Sequence, residues 1–457
     1  MLKTIRIKHS ELENHLYPNL YRFKKKIKEF SARDDITSFS LGDKGVIKVL
    51  TDGEHAGQVF VESGAKFIKN SAVKRYVISE YDGFYITHEK NNLLQRSQLE
   101  LHDVLFTTIG KYLGVSAVVN ESLVGANINQ NVVRLRIDNS LVSPQYLSLY
   151  LNSKVARYQI DTLFTGNTHP ILTYPKIKSL KVFIKDKTIH DEITTNIILA
   201  EKYALDGLKN IDKAREELVK SLDIDFTKIP NKLNYRIKQS DIKNNDIITP
   251  EYYRPLYVNT IEAIKEKHDW KTLGSVASFK SGDEVGSGNY KLYLDKQEND
   301  VSFIRTTDIL NYEVDRYPDF YVENEIYQNL DQAIEPNEIL FSKDGKIGLV
   351  ALTTKSDKCI VGSGILRIIA DTNKIDPYYL FTALSVKQIG LYQAKQRTVI
   401  ASTLPHLRMD RISDFIIPLV PNQDNIINLA KKGFELKEKS KQLIDKSRKL
   451  LDDSLEL

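Results

Sequence analysis

The sequence predicts an α+β protein, with two tandem mixed α/β domains related by internal duplication and two long helices forming an antiparallel coiled coil. Two observations carry that reading. The same short segments recur in the same order in both halves, and each half ends in a long stretch with a seven-residue apolar step. A step of seven split as three and four is the pattern of helices seamed together.

Length and composition set the frame. At 457 residues the chain exceeds one ordinary core, so two or more domains are expected. Hydrophobic residues at 41% and charged residues at 27% describe a globular protein. Nothing approaches a run of about 18 apolar residues, so no membrane span is expected, and the N-terminus has no signal-peptide core. One cysteine excludes an internal disulfide and a cysteine-rich metal site; a cytoplasmic location is expected. The net charge of +5 permits a nucleic-acid partner without demanding one and argues against an acidic DNA mimic.

The repeat is found by walking the chain. Arg6-Ile7-Lys8-His9-Ser10-Glu11-Leu12 returns as Arg236-Ile237-Lys238-Gln239-Ser240-Asp241-Ile242, an offset of 230 (236 − 6). A Tyr/Pro cluster follows each (Tyr17 to Tyr21; Tyr252 to Tyr257), and then a lysine-bearing helical segment (Lys25 to Phe30; Ile261 to Lys267). Leu105-Phe106-Thr107-Thr108-Ile109-Gly110-Lys111 pairs with Leu340-Phe341-Ser342-Lys343-Asp344-Gly345-Lys346. Asn167-Thr168-His169-Pro170 pairs with Ser402-Thr403-Leu404-Pro405 at an offset of 235 (402 − 167). Chance similarity does not keep order over so many segments. The resulting division is 1–187 and 223–421 for the two domains, the latter opening on a linker, with helices over 188–222 and 422–457.

Within each domain, Ser116–Val119, Val132–Ile137, Leu349–Leu352 and Ile365–Ile369 are β-branched runs that read as strands. Ile177 to Phe183 and Ile412 to Pro418 read as matching strands before the long helices. Pro144–Tyr158 and Pro377–Ala394 read as helices, with Ser143 or Asp376 as N-cap and proline at the first position. Strands and helices do not alternate strictly, which favours α+β over a doubly wound sheet.

In the first long helix one seam is Ile197, Ala204, Ile211 and Leu218, beside a small-residue seam of Ile193, Ala200, Gly207 and Ala214. The second carries Leu429, Leu436, Leu443, Leu450 and Leu457, with a small seam of Gly433, Ser440, Ser447 and Ser454. Small residues admit close backbone approach, so a tight antiparallel pair is expected. Ile198, Leu205, Val219, Ile427, Phe434 and Leu455 remain for a second surface, against the two domains or a partner.

No catalytic constellation emerges. Asp376-Pro377-Tyr378-Tyr379 faintly resembles an amino-methyltransferase motif, but it lacks the second proline and is explained as a helix start. Gly282 to Gly288 reads as a loop tip. No phosphate loop, dinucleotide fingerprint, histidine ligand spacing or activated serine is present. Binding is better supported. The loops bearing Thr107, Thr108 and Lys111, and Ser342, Lys343 and Lys346, join glycine to lysine, offering close backbone approach and charge for phosphates. The second recurrent loops, with Asn167, Thr168 and His169 or Ser402 and Thr403, offer short polar groups for phosphates or base edges. Arg397 and Arg408 lie nearby in sequence, and Lys66, Lys69, Lys74 and Arg75 form a basic run interleaved with Phe67 and Tyr76. Taken singly, each lysine is also explained as a solvated surface charge.

The paired loops LFTTIGKYLGVSAVV and LFSKDGKIGLVAL, the Thr-x-Pro segments Thr168-His169-Pro170 and Thr403-Leu404-Pro405, and the helix after each block resemble the DNA specificity subunit of type I restriction–modification systems. The resemblance spans essentially the whole chain, although the first loop has one extra residue. It implies a non-catalytic subunit whose two domains each read half of a split duplex sequence. It also implies partner methyltransferase subunits that hold S-adenosylmethionine and methylate adenine at N6, and an endonuclease/translocase subunit; no cofactor is expected in this chain. The helices would set the spacer: about 35 residues span roughly 50 Å. A specificity subunit of another modification or phage-defence system, or a coiled-coil scaffold without a DNA role, remain the alternatives.

Overall fold

The computed structural model describes residues 6–7 and 18–455 except 56, 81–82, 111–112, 164–169, 246–247, 283, 293–295, 298, 331 and 402–403. The chain forms two compact units, residues 1–202 with 440–457, and residues 203–439. Each long helix therefore contributes one half to each unit, whereas the sequence division assigns the helices whole.

In the first unit, the strand order of the main antiparallel sheet is Ile47–Asp52, Val132–Ile137, Val104–Thr107, Ser116–Val118. In the second it is Ala277–Ser281, Ile365–Ala370, Ile339–Ser342, Val350–Leu352. A two-stranded pair leads toward each long helix: Thr37–Ser40 with Lys181–Ile184, and Asp269–Thr272 with Ile416–Leu419. A further sheet in each unit contains one parallel pair, Ala65–Ile68 beside Asn127–Ile128 and Val301–Ile304 beside Cys359–Val361. The sequence repeat is thus a repeat of topology. Central strands such as Val104–Thr107 and Ile339–Ser342 are buried at every position, which explains their continuous apolar runs.

Side chains that satisfy buried backbone groups also recur. Tyr146 Oη donates to Phe183 O at 2.8 Å, and Tyr379 Oη to Pro418 O at 2.7 Å. The Gln159 amide accepts from Lys181 N at 2.7 Å and donates to Lys181 O at 2.8 Å. Gln393 treats Ile416 the same way, at 2.7 and 2.9 Å. Buried polar groups need partners, and one glutamine here closes both valences of a strand residue. Each sheet also buries an arginine: Arg367 grips Glu338 through two bonds of 2.7 Å, and Arg134 lies 3.6 Å from Asp103.

The helix readings need two corrections. Ser143 and Asp376 do cap their helices, accepting from Tyr146 N and from Tyr378 and Tyr379 N. The helices are shorter than periodicity predicts, Pro144–Leu151 and Pro377–Ser385. In the first unit a new helix, Lys154–Thr162, restarts on Ser153, whose hydroxyl accepts from Ala156 N; in the second, Val386 breaks the run before Lys387–Leu391 and Tyr392–Arg397. The expected strands from Ile177 and Ile412 begin as helical turns, Tyr174–Lys178 and Met409–Ile412, the first of them favoured by Pro175 in its opening turn.

The long helices run Lys187–Leu222 and Gln423–Leu455. Asp186 starts the first by accepting from Ile189 N at 2.8 Å, and Asp223 ends it in the left-handed region at φ 48. In the second unit, a Cβ on Gly207 would stand 2.7 Å from Gly433 O, and one on Gly433 would stand 2.7 Å from Ile211 Cγ1. Gly207 also faces Lys437, so the partner numbering falls as the first helix advances and the halves are antiparallel. In the first unit Glu192 pairs with Lys446 at 2.8 Å. Ile193, Ala200, Ile211, Ala214 and Leu218 are buried, as are Gly433, Ser440, Ser447 and Ser454, with Ile197 at the margin of the core and Ala204 half-buried.

The leucine heptad is not the buried seam. Leu429, Leu436, Leu443 and Leu450 are only half-buried, because the small residues beside them bring the backbones together first. Leu457 lies outside the described residues. Of the second surface, Phe434 packs on Tyr378 and Phe381 and Leu455 joins the first unit's core, while Ile198 stays 49% exposed.

Candidate nucleic-acid interface

The two recurrent loops, far apart in sequence, meet in each unit. In the first, Leu172 N donates to Thr108 O at 2.9 Å; in the second, Leu407 N donates to Lys343 O at 2.9 Å. Both partners shift by the same 235 residues (343 − 108 and 407 − 172). The bridge beside this bond pairs Ile109 with Ile171, and Asp344 with His406. Gly110 and Gly345 follow at φ 82 and φ 67, values that a side chain resists, and a Cβ on either would meet nothing within 4 Å. The geometry is a backbone junction that opens outward at a glycine.

Side chains at the junction differ between the units. The first shows two isoleucines, with Ile171 45% exposed. The second shows a polar cluster in which Asp344 bonds His406 Nδ1 and sits 3.3 Å from Lys343 Nζ. Lys346, four residues after Ser342, has its pKa lowered to about 8 by desolvation of its ammonium among the surrounding protein atoms.

Several predicted contact residues prove internal. Thr107 Oγ1 accepts from Val115 N at 2.9 Å, and Ser342 Oγ accepts from Leu349 N at 2.8 Å. Both hydroxyls are fully buried and brace the loop from beneath. Thr108 is buried too, and Lys343 is buried against its own acid neighbour. Arg397 turns inward, donating to Gln396 Oε1 at 2.7 Å with its guanidinium over Phe415, and burial lowers its pKa. Arg408 is exposed and holds Asp410 at 2.9 Å. Lys74 is buried and Arg75 half-buried. Lys111, Asn167, Thr168, His169, Ser402 and Thr403 lie outside the described residues.

The sequence reading missed the junction pair, although the signal was there: the aligned repeat sets Ile109 against Asp344 and Ile171 against His406. Among the described residues no group of three His, Cys, Asp or Glu could hold a metal ion, and no helix is long and apolar enough to cross a membrane.

Set against known proteins, residues 265–431 match the family described as type I restriction modification DNA specificity domain. That stretch forms most of the second unit, and the first unit repeats its topology. The resemblance read from the paired loops stands on this match. Among solved structures the chain is similar to the HsdS subunit from Thermoanaerobacter tengcongensis, at 14% identity over 92% of this chain and 97% of that one, with a TM-score of 0.30. It is also similar to the type I restriction-modification S subunit from M. genitalium, at 16% identity over 92% and 95%, with a TM-score of 0.32. A third similar chain, at 14% identity over 93% and 98% and a TM-score of 0.29, comes from work on complex assembly and conformational transition of the type I R-M system. No curated protein matches the chain.

Proposed function

We propose that the chain is the specificity subunit of a type I restriction–modification complex, reading a bipartite duplex target with one half-site per unit. It contributes recognition and no catalytic centre. Partner subunits supply N6-adenine methylation with S-adenosylmethionine, and a further partner supplies endonuclease and translocase activity. The observation that supports this most is the repeated loop junction, the same backbone hydrogen bond at a constant offset of 235 residues (343 − 108), carrying different side chains in each copy. A reader of two unlike half-sites needs such a scaffold: a fixed frame presenting exchangeable groups to base edges.

Comparing methylomes of the host with and without this gene tests the reading. A bipartite N6-methyladenine motif should vanish on deletion; an unchanged adenine methylome in a host with active partner methylase overturns it. A four-residue insertion in each long helix adds roughly 6 Å of rise, and the spacer of the motif should grow by about 1–2 base pairs at about 3.4 Å each.

A further inference from the structure

Each unit carries an aromatic cluster on its sheet with the parallel pair. In the first, Phe60, Phe67 and Phe84 gather with ring centroids 4.8 Å (Phe60–Phe84) and 5.8 Å (Phe60–Phe67) apart, and Lys69 Nζ lies 3.4 Å from the Phe84 centroid. In the second, Tyr290, Phe303 and Phe320 gather likewise, and the Arg305 guanidinium lies 4.4 Å from the Phe320 centroid. Lys69, Phe67 and Phe84 map onto Arg305, Phe303 and Phe320 at a constant offset of 236 (305 − 69, 303 − 67, 320 − 84).

The charges around the two cations differ. Arg305 is neutralised by Asp308 at 3.1 Å and Asp319 at 3.3 Å. Lys69 has no carboxylate at ion-pair distance among the described residues. The nearby acids are engaged, Glu80 with Lys66 and Glu54 with Lys90 at 3.6 Å. Burial lowers the Lys69 pKa, the state that an added anion relieves.

Beside Lys69 a cleft of about 260 Å³ is lined by Glu54, His55, Gln58, Phe60, Phe67 and Asn129. Gln58 Oε1 and Asn129 Oδ1 are shielded from water and have no hydrogen-bond partner among the described residues, an unusual state for buried acceptors. Phe60 and Phe84 remain 38% and 37% exposed. A cation with no carboxylate at ion-pair distance among the described residues, half-exposed aromatic faces and acceptors without a partner among those residues together suit a ligand with an anion, a flat face and N–H donors.

We propose that this cleft seats one nucleotide of the DNA target, its phosphate on Lys69, its base or sugar against Phe60, and that the second unit has no such seat. The inference rests on the proposed DNA-reading role. It makes the first unit hold its half-site by a charge contact that the second replaces with an internal ion pair.

The test uses the full chain with its partner methyltransferase and a duplex bearing the methylated motif, with affinity measured across a salt series. Lys69→Gln should weaken binding about tenfold and flatten the slope of log affinity against log salt by about 1. Arg305→Gln should leave that slope unchanged. Phe60→Ala, at an exposed position where folding is preserved, should weaken binding about tenfold at an unchanged slope. Lys69→Gln and Phe60→Ala complexes that both bind as the wild type does overturn the nucleotide seat while leaving the DNA-reading role intact. A wild-type complex without salt-dependent duplex binding overturns both.

Discussion

The two units share their backbone bonds and differ where side chains meet. At the loop junction the first unit presents Ile109 and Ile171, the second Asp344 and His406. Where the long helix touches its domain, the first unit uses Gln145 Nε2 donating to Glu201 at 3.2 Å. At the matching places, 233 residues on (378 − 145, 434 − 201), the second packs Tyr378 against Phe434 at a tilt, with centroids 6.1 Å apart. At the buried arginine, the first unit's Asp103 is shared by Arg134 and Arg136, whereas the second's Glu338 is held by Arg367 through two close bonds. A lost backbone bond in a buried sheet leaves two groups unsatisfied, so the frame tolerates little change. Side chains that still find a partner, polar with polar or apolar with apolar, carry no such penalty and are free to differ.

The arginine pair gives the largest expected effect. Arg367→Met leaves Glu338 buried and unpaired, and should cost about 3–5 kcal/mol. Arg134→Met should cost less than half of that, since Arg136 remains 3.0 Å from Asp103. Urea unfolding of the full chain measures both, and equal losses would break the asymmetry.

Gly433→Val should cost up to about 3 kcal/mol, because any Cβ there strikes Gly207 O and Ile211. Ser440→Ala, at the same seam in the first unit, should change the melting temperature little. A Gly433→Val protein as stable as the wild type would show that the helices do not need their close approach.

The helix contact predicts a pH effect confined to one unit. Burial raises the Glu201 pKa from 4.5 to about 7. Between those values the folded state keeps a proton that the unfolded chain releases, so stability falls as pH rises through about 4.5 to 7 and levels off above. Glu201→Gln should therefore gain on the order of 2 kcal/mol at about pH 8 and nothing at about pH 4. Phe434→Leu, its counterpart, should show a pH-independent loss. Thermal melts at the two pH values decide this, and a pH-independent Glu201→Gln effect would remove the contrast.

The junction gives the smallest change in energy and the sharpest change in specificity. Replacing Asp344 and His406 together with isoleucine should alter only the half-site read by the second unit, by about tenfold, or about 1.4 kcal/mol. Sequencing of methylated sites checks it; an unaltered motif would mean that the junction frames the loops without reading bases.

Much of the frame was legible because its signals are local. Proline after Ser143 or Asp376 starts a helix wherever it sits, and a sustained seven-residue step predicts the long helices to within one or two residues. The candidate contacts were less legible. Thr107 and Ser342 have the chemistry of phosphate binders, yet a hydroxyl's direction is set by which amide lies near it, here Val115 N and Leu349 N across the turn. Arg397 likewise spends its charge on Gln396 and Phe415, neighbours that its position in the list of basic residues does not disclose.

By itself the sequence determined the duplication, the helix starts at Pro144 and Pro377, the two long helices and the pairing of equivalent loops, since each follows from order, spacing or capping chemistry. Tertiary structure decided which helix seam is buried, which hydroxyls and cations face inward, and that the two recurrent loops of each unit join at one backbone bond. Those outcomes depend on contacts between residues far apart in the chain, where burial and hydrogen-bond satisfaction outweigh local preference.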